Sequence, residues 1–206
     1  MRYSTLFLLS LPLLAACKDV KEDEDEHGHH DHDHGLITAL ILNVTDSAGS
    51  TAVYQWADPT ADGSNVTIDG VVLTAGESYD VSVEVWNQLE EPEEDVTLEI
   101  LELADEHQFF FTGSGVVGPA SAGSEALIEH RYNDTDNNGL PLGVDNIFDA
   151  AADGGSGDLE VTLRHLPPED GADTKYEGMA DTVKTGGFAA IGGDNDIQVT
   201  FPLTVN

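Results

Sequence analysis

The residues best suited to chemistry form a short tract near the N-terminus of this 206-residue chain. From Glu22 to His34 every residue is Asp, Glu or His except Gly28. Imidazole nitrogens and carboxylate oxygens are the ligands that zinc and similar divalent ions take in proteins. The candidate ligands of the tract are His27, His29, His30, Asp31, His32, Asp33 and His34.

This density of ligands predicts binding of Zn²⁺ or of another divalent transition metal. Five His and two Asp within eight residues offer several overlapping ligand sets, and a flexible chain can fold more than one around an ion. Such a tract suits a metal buffer or collector. The alternative is a solvated, low-complexity spacer whose affinity for metal is incidental.

A secretory leader precedes the tract and ends at the only cysteine of the chain. Arg2 supplies a positive charge, and the apolar run 6–14 is too short to span a bilayer, which needs about 20 apolar residues. Residues 14–17, Leu-Ala-Ala-Cys, look like a bacterial lipobox. That likeness implies removal of a signal peptide, residues 1–16, and lipidation of Cys17. The alternative is an ordinary secretory signal followed by a chance cysteine.

Lipidation would anchor the chain in the cell envelope. Lys18 stands where Asp is typical of inner-membrane retention, so the outer membrane is the expected location. Once Cys17 is acylated no thiol remains, which excludes disulfides, cysteine-ligated zinc and a cysteine nucleophile.

The net charge of the chain limits the classes of molecule that it can bind. After the leader is removed, six basic residues stand against 40 acidic ones, a net charge of −34. This balance argues against nucleic acid and anionic lipid headgroups as partners, because both require basic patches. It favours cations, although high acidity can also serve only solubility or adaptation to salt.

The elements that must position any site begin after the tract. Residues 17–35 have high charge and few apolar side chains, which predicts a disordered tether. Residues 36–206 suffice for one domain, and their dominant apolar period is two, as in Tyr79, Val81, Val83 and Val85. The spacing predicts a mainly β fold, a single antiparallel β-sandwich that is immunoglobulin-like. Asp69-Gly70 predicts a hairpin turn.

One segment departs from the period of two. Near residues 93–105, Val96, Ile100 and Leu103 have helical spacing, and Pro92 with acidic residues after it suits a helix N-terminus. We therefore expect one short helix there. Val96, Leu98 and Ile100 also alternate as a strand would, so a strand is the alternative.

Three histidines of the domain are in register with apolar faces near strand ends: His107, His130 and His165. If the three imidazoles converged, they would form a second zinc or copper site with an open fourth position. The alternative is three separate histidines at the edge of the core, each with its own hydrogen bond.

An acidic loop offers a candidate calcium site. Asp134, Asp136 and Asn138 occupy positions 1, 3 and 5 of a calcium-loop pattern with Gly139 at position 6, and Asp145 falls at position 12. A strand precedes the loop, so it is not an EF-hand, but a Ca²⁺-binding β-loop fits the pattern. The alternative is a turn, which Asp, Asn and Gly favour in any case.

The sequence lacks the common catalytic motifs. There is no Gly-x-Ser-x-Gly elbow, phosphate loop, dinucleotide fingerprint or His-Glu-x-x-His pattern. The glycines at 186–187 and 192–193 have the spacing of loop residues. We therefore expect a binding protein and not an enzyme.

Three strings carry a family resemblance: ADEHQFF at 104–110, NDTDNNGLPLG at 133–143 and VTLRHLP at 161–167. With the tether before them, the mature chain resembles small bacterial lipoproteins labelled "type 1 periplasmic binding fold superfamily protein". The resemblance singles out His107, His165 and the loop 134–139. The resemblance implies no particular function. An outer-membrane, TonB-dependent metal receptor is a hypothetical partner for a metal-binding lipoprotein of this kind.

Two functional hypotheses follow from these patterns. The first is an envelope lipoprotein, membrane-bound through its lipid, that captures zinc with the tether and delivers it to an outer-membrane receptor. The second is a structural or adhesive envelope lipoprotein with calcium-stabilised loops, in which the tether is only a spacer.

Overall fold

The computed structural model describes residues 36–206. The signal peptide, Cys17 and the tether with its seven candidate ligands lie outside the described residues, and the expectations for them stay predictions.

In chain order the strands are β1 (Ala39–Thr45), β2 (Thr51–Ala57), β3 (Thr67–Ile68), β4 (Val71–Leu73), β5 (Ser78–Asn87), β6 (Glu94–Asp95), β7 (His107–Thr112), β8 (Val116–Val117), β9 (Ile128–Tyr132), β10 (Asp145–Ala150), β11 (Gly155–His165) and β12 (Asp194–Val205). The helices are α1 (Thr97–Glu102) and α2 (Met179–Gly186), with 3₁₀ turns at Ala104–Glu106 and Phe188–Ala190.

The strands form two sheets. The larger sheet has the order β3-β2-β1-β5-β10-β9-β8, with β6 paired to the end of β5, and the smaller has the order β4-β12-β11-β7. Most neighbours are antiparallel, but β12 with β4 and β8 with β9 are parallel pairs. The mainly β prediction is therefore confirmed, and the predicted antiparallel pairing holds for all but these two pairs.

Apolar and polar side chains alternate along single strands, which explains why each sheet buries one face. In β5, Tyr79, Val81, Val83 and Val85 are buried while the residues between them face outward. Full burial of each such side chain contributes roughly 1.5–3 kcal/mol. One core cluster contains residues of both sheets, including Leu40 and Val83 of the larger and Leu159 and Phe201 of the smaller.

Strand β7 is buried on both of its faces. Phe109 and Phe111 join the main core, whereas Phe110 points the other way into a second cluster with Met179 and Val183 of α2. Helix α2 therefore covers the outer face of the smaller sheet. This small cluster fixes α2 beside the loops that precede β10.

Helix α1 is anchored to β5 by Thr97. The Thr97 hydroxyl accepts a hydrogen bond from the Val85 amide at 2.9 Å and lies 3.3 Å from the Val85 carbonyl oxygen. Ile100 of α1 is buried in the core. The 3₁₀ turn after α1 leads directly into His107, the first residue of β7.

The structure corrects the sequence-based elements in three places. The helix expected near residues 93–105 exists, but it begins at Thr97 because Glu94–Asp95 pairs with β5. Helix α2 was not predicted. Asp69-Gly70 does not make a hairpin, because the strands on either side of it belong to different sheets. Among the described residues, no helix is long and apolar enough to cross a membrane.

Candidate metal centre

Two of the three predicted histidines lie side by side at one end of the smaller sheet. His107 begins β7 and His165 ends β11, and the antiparallel register places them opposite each other. Their rings are stacked, with centroids 5.0 Å apart and planes inclined by 5°. The pairing of the two strand ends therefore brings together two imidazoles that are 58 residues apart in the sequence.

The orientation of the His107 ring is set by α1. The side chain is fully buried, and its Nδ1 lies 2.8 Å from the carbonyl oxygen of Leu103. Because a carbonyl oxygen can only accept, Nδ1 carries the hydrogen and donates it. Metal-binding histidines commonly donate one ring nitrogen to a backbone carbonyl in this way, which leaves Nε2 as the ligand nitrogen.

A carboxylate lies near each Nε2 nitrogen. His107 Nε2 is 4.0 Å from Asp196 Oδ2, and His165 Nε2 is 3.8 Å from Glu106 Oε2. Asp196 stands at an irregularity of β12, since Leu163 pairs with Ile197 while Arg164 pairs with Asn195. Asp196 is the extra residue of this β-bulge, and bulges commonly re-aim a side chain towards a site.

The two histidine–carboxylate pairs are partly open to solvent. The side chains of His165, Glu106 and Asp196 are 17%, 20% and 15% exposed. A tetrahedral zinc ion with bonds of ~2.1 Å separates its ligand atoms by ~3.4 Å. The observed nitrogen–oxygen distances of 3.8 and 4.0 Å exceed that separation by about 0.4 and 0.6 Å.

His130, the third predicted histidine, lies in the larger sheet and inside the core. Its Nε2 is 2.9 Å from Asn146 Oδ1, and the Asn146 amide nitrogen donates to the Gly143 carbonyl oxygen at 2.8 Å. The ring of Phe111 packs against it with centroids 4.4 Å apart. Burial lowers the pKa of His130 to about 4, against a weaker opposing effect of Asn146. His130 is thus a neutral core histidine.

The carboxylate of Asp134, a predicted calcium ligand, closes its own loop. One oxygen accepts from the Gly143 amide at 2.7 Å, and the other accepts from the Val144 and Asp145 amides at 2.8 and 2.9 Å. Three backbone N–H groups therefore already satisfy this carboxylate.

Asp136, the second predicted calcium ligand, forms a buried ion pair with Lys175. One carboxylate oxygen accepts from the Asn138 and Leu140 amides, and the other lies 2.8 Å from Lys175 Nζ. Both side chains of the ion pair are buried, at 0% and 1% exposure. Burial lowers the pKa of Lys175, while Asp136 opposes that shift.

Lys175 also connects this loop to the histidine pair. Its ammonium donates to the carbonyl oxygens of Ala104 at 3.0 Å and of His107 at 2.8 Å. The sequence patterns did not single out this residue. Its one signal is scarcity, because residues 36–206 contain only four basic residues against 32 acidic ones.

The last two candidate calcium ligands stay exposed. Asn138 lies at the tip of the loop, and Asp145 begins β10. Partial burial raises the pKa of the Asp145 carboxyl, and the negative charges of Asp134 and Asp80 raise it further. A bound Ca²⁺ ion at these residues stays a prediction.

The arrangement as a whole offers two histidine–carboxylate contacts and one enclosed ammonium–carboxylate pair. Within the part of the chain that the structure describes, no three His, Cys, Asp or Glu side chains already converge around a point where a metal ion would fit. Comparison of the chain with protein-family models, with curated proteins and with solved structures finds no match.

Proposed function

We propose that this chain is a lipid-anchored envelope protein that binds divalent metal ions outside the cytoplasm, with zinc as the first choice. The observation that carries the proposal is the ligand density of residues 27–34, five His and two Asp within eight residues. A chain with 33 more acidic than basic residues also concentrates cations around it.

The histidine pair is proposed as a second and separate metal site. His107 Nδ1 donates to a backbone carbonyl, so Nε2 is the nitrogen that would hold the ion. Glu106 and Asp196 would supply the carboxylates. A shared ion would require the two nitrogen–oxygen distances to shorten and one ring to rotate, because a nitrogen lone pair lies in its ring plane and the two planes are nearly parallel.

The location and partner belong to the same proposal. The lipobox-like residues 14–17 and Lys18 support an anchor in the outer membrane. Delivery of the ion to an outer-membrane receptor is the proposed next step, because an anchor in that membrane would hold the tether near such a receptor. The finer architecture is proposed as one immunoglobulin-like sandwich, supported by a core cluster that draws on both sheets.

Zinc titration by calorimetry tests the two sites separately. The parent is the mature chain 18–206, which lacks the lipidated cysteine. One variant carries Asn at the five tether histidines, which keeps the acidic charge and removes only the imidazoles. A second carries Asp196→Asn with His165→Gln, and its matched control is Asp194→Asn, an exposed acid on the same strand.

Each site predicts its own outcome. Sub-micromolar binding that is lost with the tether imidazoles supports the tether as the capture site. A weaker step that is lost with Asp196 and His165 but kept in the Asp194 control supports the histidine pair. Binding no tighter than about millimolar in the parent would overturn metal capture and favour the structural or adhesive lipoprotein.

A further inference from the structure

A cavity of about 550 Å³ opens between the loop 138–141 and the segment 176–181. Its size suits a small organic molecule, since ligand pockets commonly measure about 300–1,000 Å³. Neither His107 nor His165 lines it. The cavity is therefore a different place from the proposed metal sites.

The polar groups of the cavity are prearranged. Gln108 is 1% exposed, and its amide nitrogen donates to the Tyr132 hydroxyl at 3.2 Å. That hydroxyl in turn donates to the Phe109 carbonyl oxygen at 2.9 Å. These bonds hold the Gln108 amide nitrogen and the Tyr132 hydroxyl in place at the cavity lining. A few fixed polar groups among apolar walls are typical of binding pockets.

The two walls are tied together by the buried ion pair. Asp136 lies two residues before Asn138 on one wall, and Lys175 immediately precedes Tyr176 on the other. A buried ion pair recovers little more than its own desolvation cost, so stability is a weak reason for it. Its geometric effect is to fix the spacing of the walls, which makes Lys175 and Asp136 positioning residues for the cavity.

The charge of the rim selects the class of ligand. Glu177 and Asp181 are the charged residues that line the cavity, and both are acidic. Outside the lining, Lys184 donates to the carbonyl oxygen of Gly118, next to the lining residue Pro119, and the ammonium of Lys175 is paired with Asp136. Two carboxylates against one ammonium disfavour an anionic ligand.

The apolar surfaces complete the description of the ligand. Tyr176 is 43% exposed at the rim, and Met179, Leu140 and Pro141 line the same cavity. An exposed aromatic face attracts a cation through the negative charge of its ring face. Carboxylates and an aromatic ring at one opening, with apolar walls behind, match an organic cation with an apolar body.

We propose that this cavity binds a small organic cation, with its charged group at Glu177, Asp181 and Tyr176 and its apolar body against Met179 and Pro141. The proposal does not depend on metal binding. It gives the domain a ligand of its own, an amine or quaternary ammonium compound.

Amide chemical shifts of the ¹⁵N-labelled mature chain test the proposal directly. The probe is benzyltrimethylammonium, and the matched ligands are neutral benzyl alcohol and anionic phenylacetate. We expect saturable shifts at residues 138–140 and 176–181, with the cation at least about tenfold tighter than benzyl alcohol and no binding of phenylacetate.

Charge-matched variants separate the site from general acidity. Glu177→Gln with Asp181→Asn should weaken cation binding about tenfold. Asp153→Asn, an exposed acid outside the cavity lining, should leave it unchanged. Tyr176→Ala should weaken binding about two- to fivefold through loss of the cation–aromatic contact.

Three outcomes would overturn the proposal. The first is equal affinity for the cation and for benzyl alcohol. The second is shifts dispersed over the acidic surface that vanish in 0.3 M NaCl. The third is an Asp153→Asn effect as large as that of the cavity variant. All these substitutions lie at exposed positions, so loss of folding does not confuse the result.

Discussion

At the scale of single residues, burial of His130 makes the stability of the domain depend on pH. An unfolded histidine titrates near 6.5, whereas burial holds the pKa of His130 at about 4 in the folded chain. Between these values only the unfolded state takes up the proton, so stability falls as pH drops from 6.5 towards 4. A shift of this size corresponds to about 3 kcal/mol.

Denaturant unfolding at pH 7.5, 6, 5 and 4.5 measures this effect. His130→Gln keeps a donor towards Asn146 but cannot be protonated, so the difference in unfolding free energy between parent and variant should shrink as pH falls. The ring protons of His130 should show no titration above pH 5. A parent–variant difference that stays constant with pH would contradict the argument.

Lys175 is the second residue whose burial makes a sharp prediction. Lys175→Met leaves the Asp136 carboxylate buried without its cation, which should cost about 3–5 kcal/mol. Asp136→Asn added to that variant removes the uncompensated charge and keeps an oxygen for the Asn138 and Leu140 amides. The double variant should recover most of the loss in urea unfolding. Additive losses would show that the two side chains do not act as a pair.

The sequence could identify His107 and His165 as candidates, but not as partners. Each lies near a predicted strand end on an apolar face, and that much is local information. Their stacking depends on the register of β7 against β11, which the whole sheet determines. Lys175 gave no local signal at all, because a single lysine between turns is ordinary until its burial is known.

At the scale of elements, the β12 bulge and the glycines before it shape the histidine pair. Gly193 has a positive φ of 75°, and a Cβ there would lie within 1.9 Å of the His165 carbonyl oxygen. Gly192 has open space around it. Gly193→Ala should therefore destabilise the domain by about 2–3 kcal/mol, and Gly192→Ala should change stability by less than about 1 kcal/mol.

Thermal unfolding by circular dichroism compares the two alanine variants. The zinc step assigned to the histidine pair should weaken with Gly193→Ala, because the clash displaces the strand end that holds His165. Equal melting temperatures for the two variants would mean that the chain between α2 and β12 relaxes freely.

Elements were predictable where burial follows one simple period. β5 alternates along its whole length, and its position is evident from Tyr79 to Val85. α2 has only eight residues and is held by Phe110 of another element, so its helical pattern is too short to recognise. Asp69-Gly70 favours a turn by composition, but the chain passes there from one sheet to the other, and composition does not say which sheet the next strand joins.

At the scale of the whole molecule, the surplus of acid shapes every other property. Residues 36–206 carry 32 acidic and four basic residues, and one of the four is enclosed as Lys175. Composition alone predicted that cations and not nucleic acids are the suitable partners. It could not predict that Asp134 and Asp136 are already satisfied by backbone amides and by Lys175.

These negative charges repel one another and destabilise the folded domain. Salt screens the repulsion, so the domain should be more stable at high ionic strength. Raising NaCl from 10 mM to 0.5 M shortens the Debye length from about 30 Å to about 4 Å, which screens repulsion between exposed carboxylates. We expect the melting temperature to rise by several degrees. Because screening depends on ionic strength, NaCl and MgCl₂ at equal ionic strength should act almost alike.

CaCl₂ in the same series separates screening from a specific site. If the loop 134–145 binds Ca²⁺, the melting temperature should rise further with CaCl₂ than with MgCl₂ at equal ionic strength, and the excess should saturate. The Lys175 ammonium already pairs with the Asp136 carboxylate oxygen that the backbone amides leave unbound. We therefore expect no extra rise in melting temperature with CaCl₂ in the parent chain. In Lys175→Met the carboxylate loses that cation, and an excess with CaCl₂ should appear there. A calcium excess in the parent would show that the exposed Asp145 side of the loop binds the ion without Asp136.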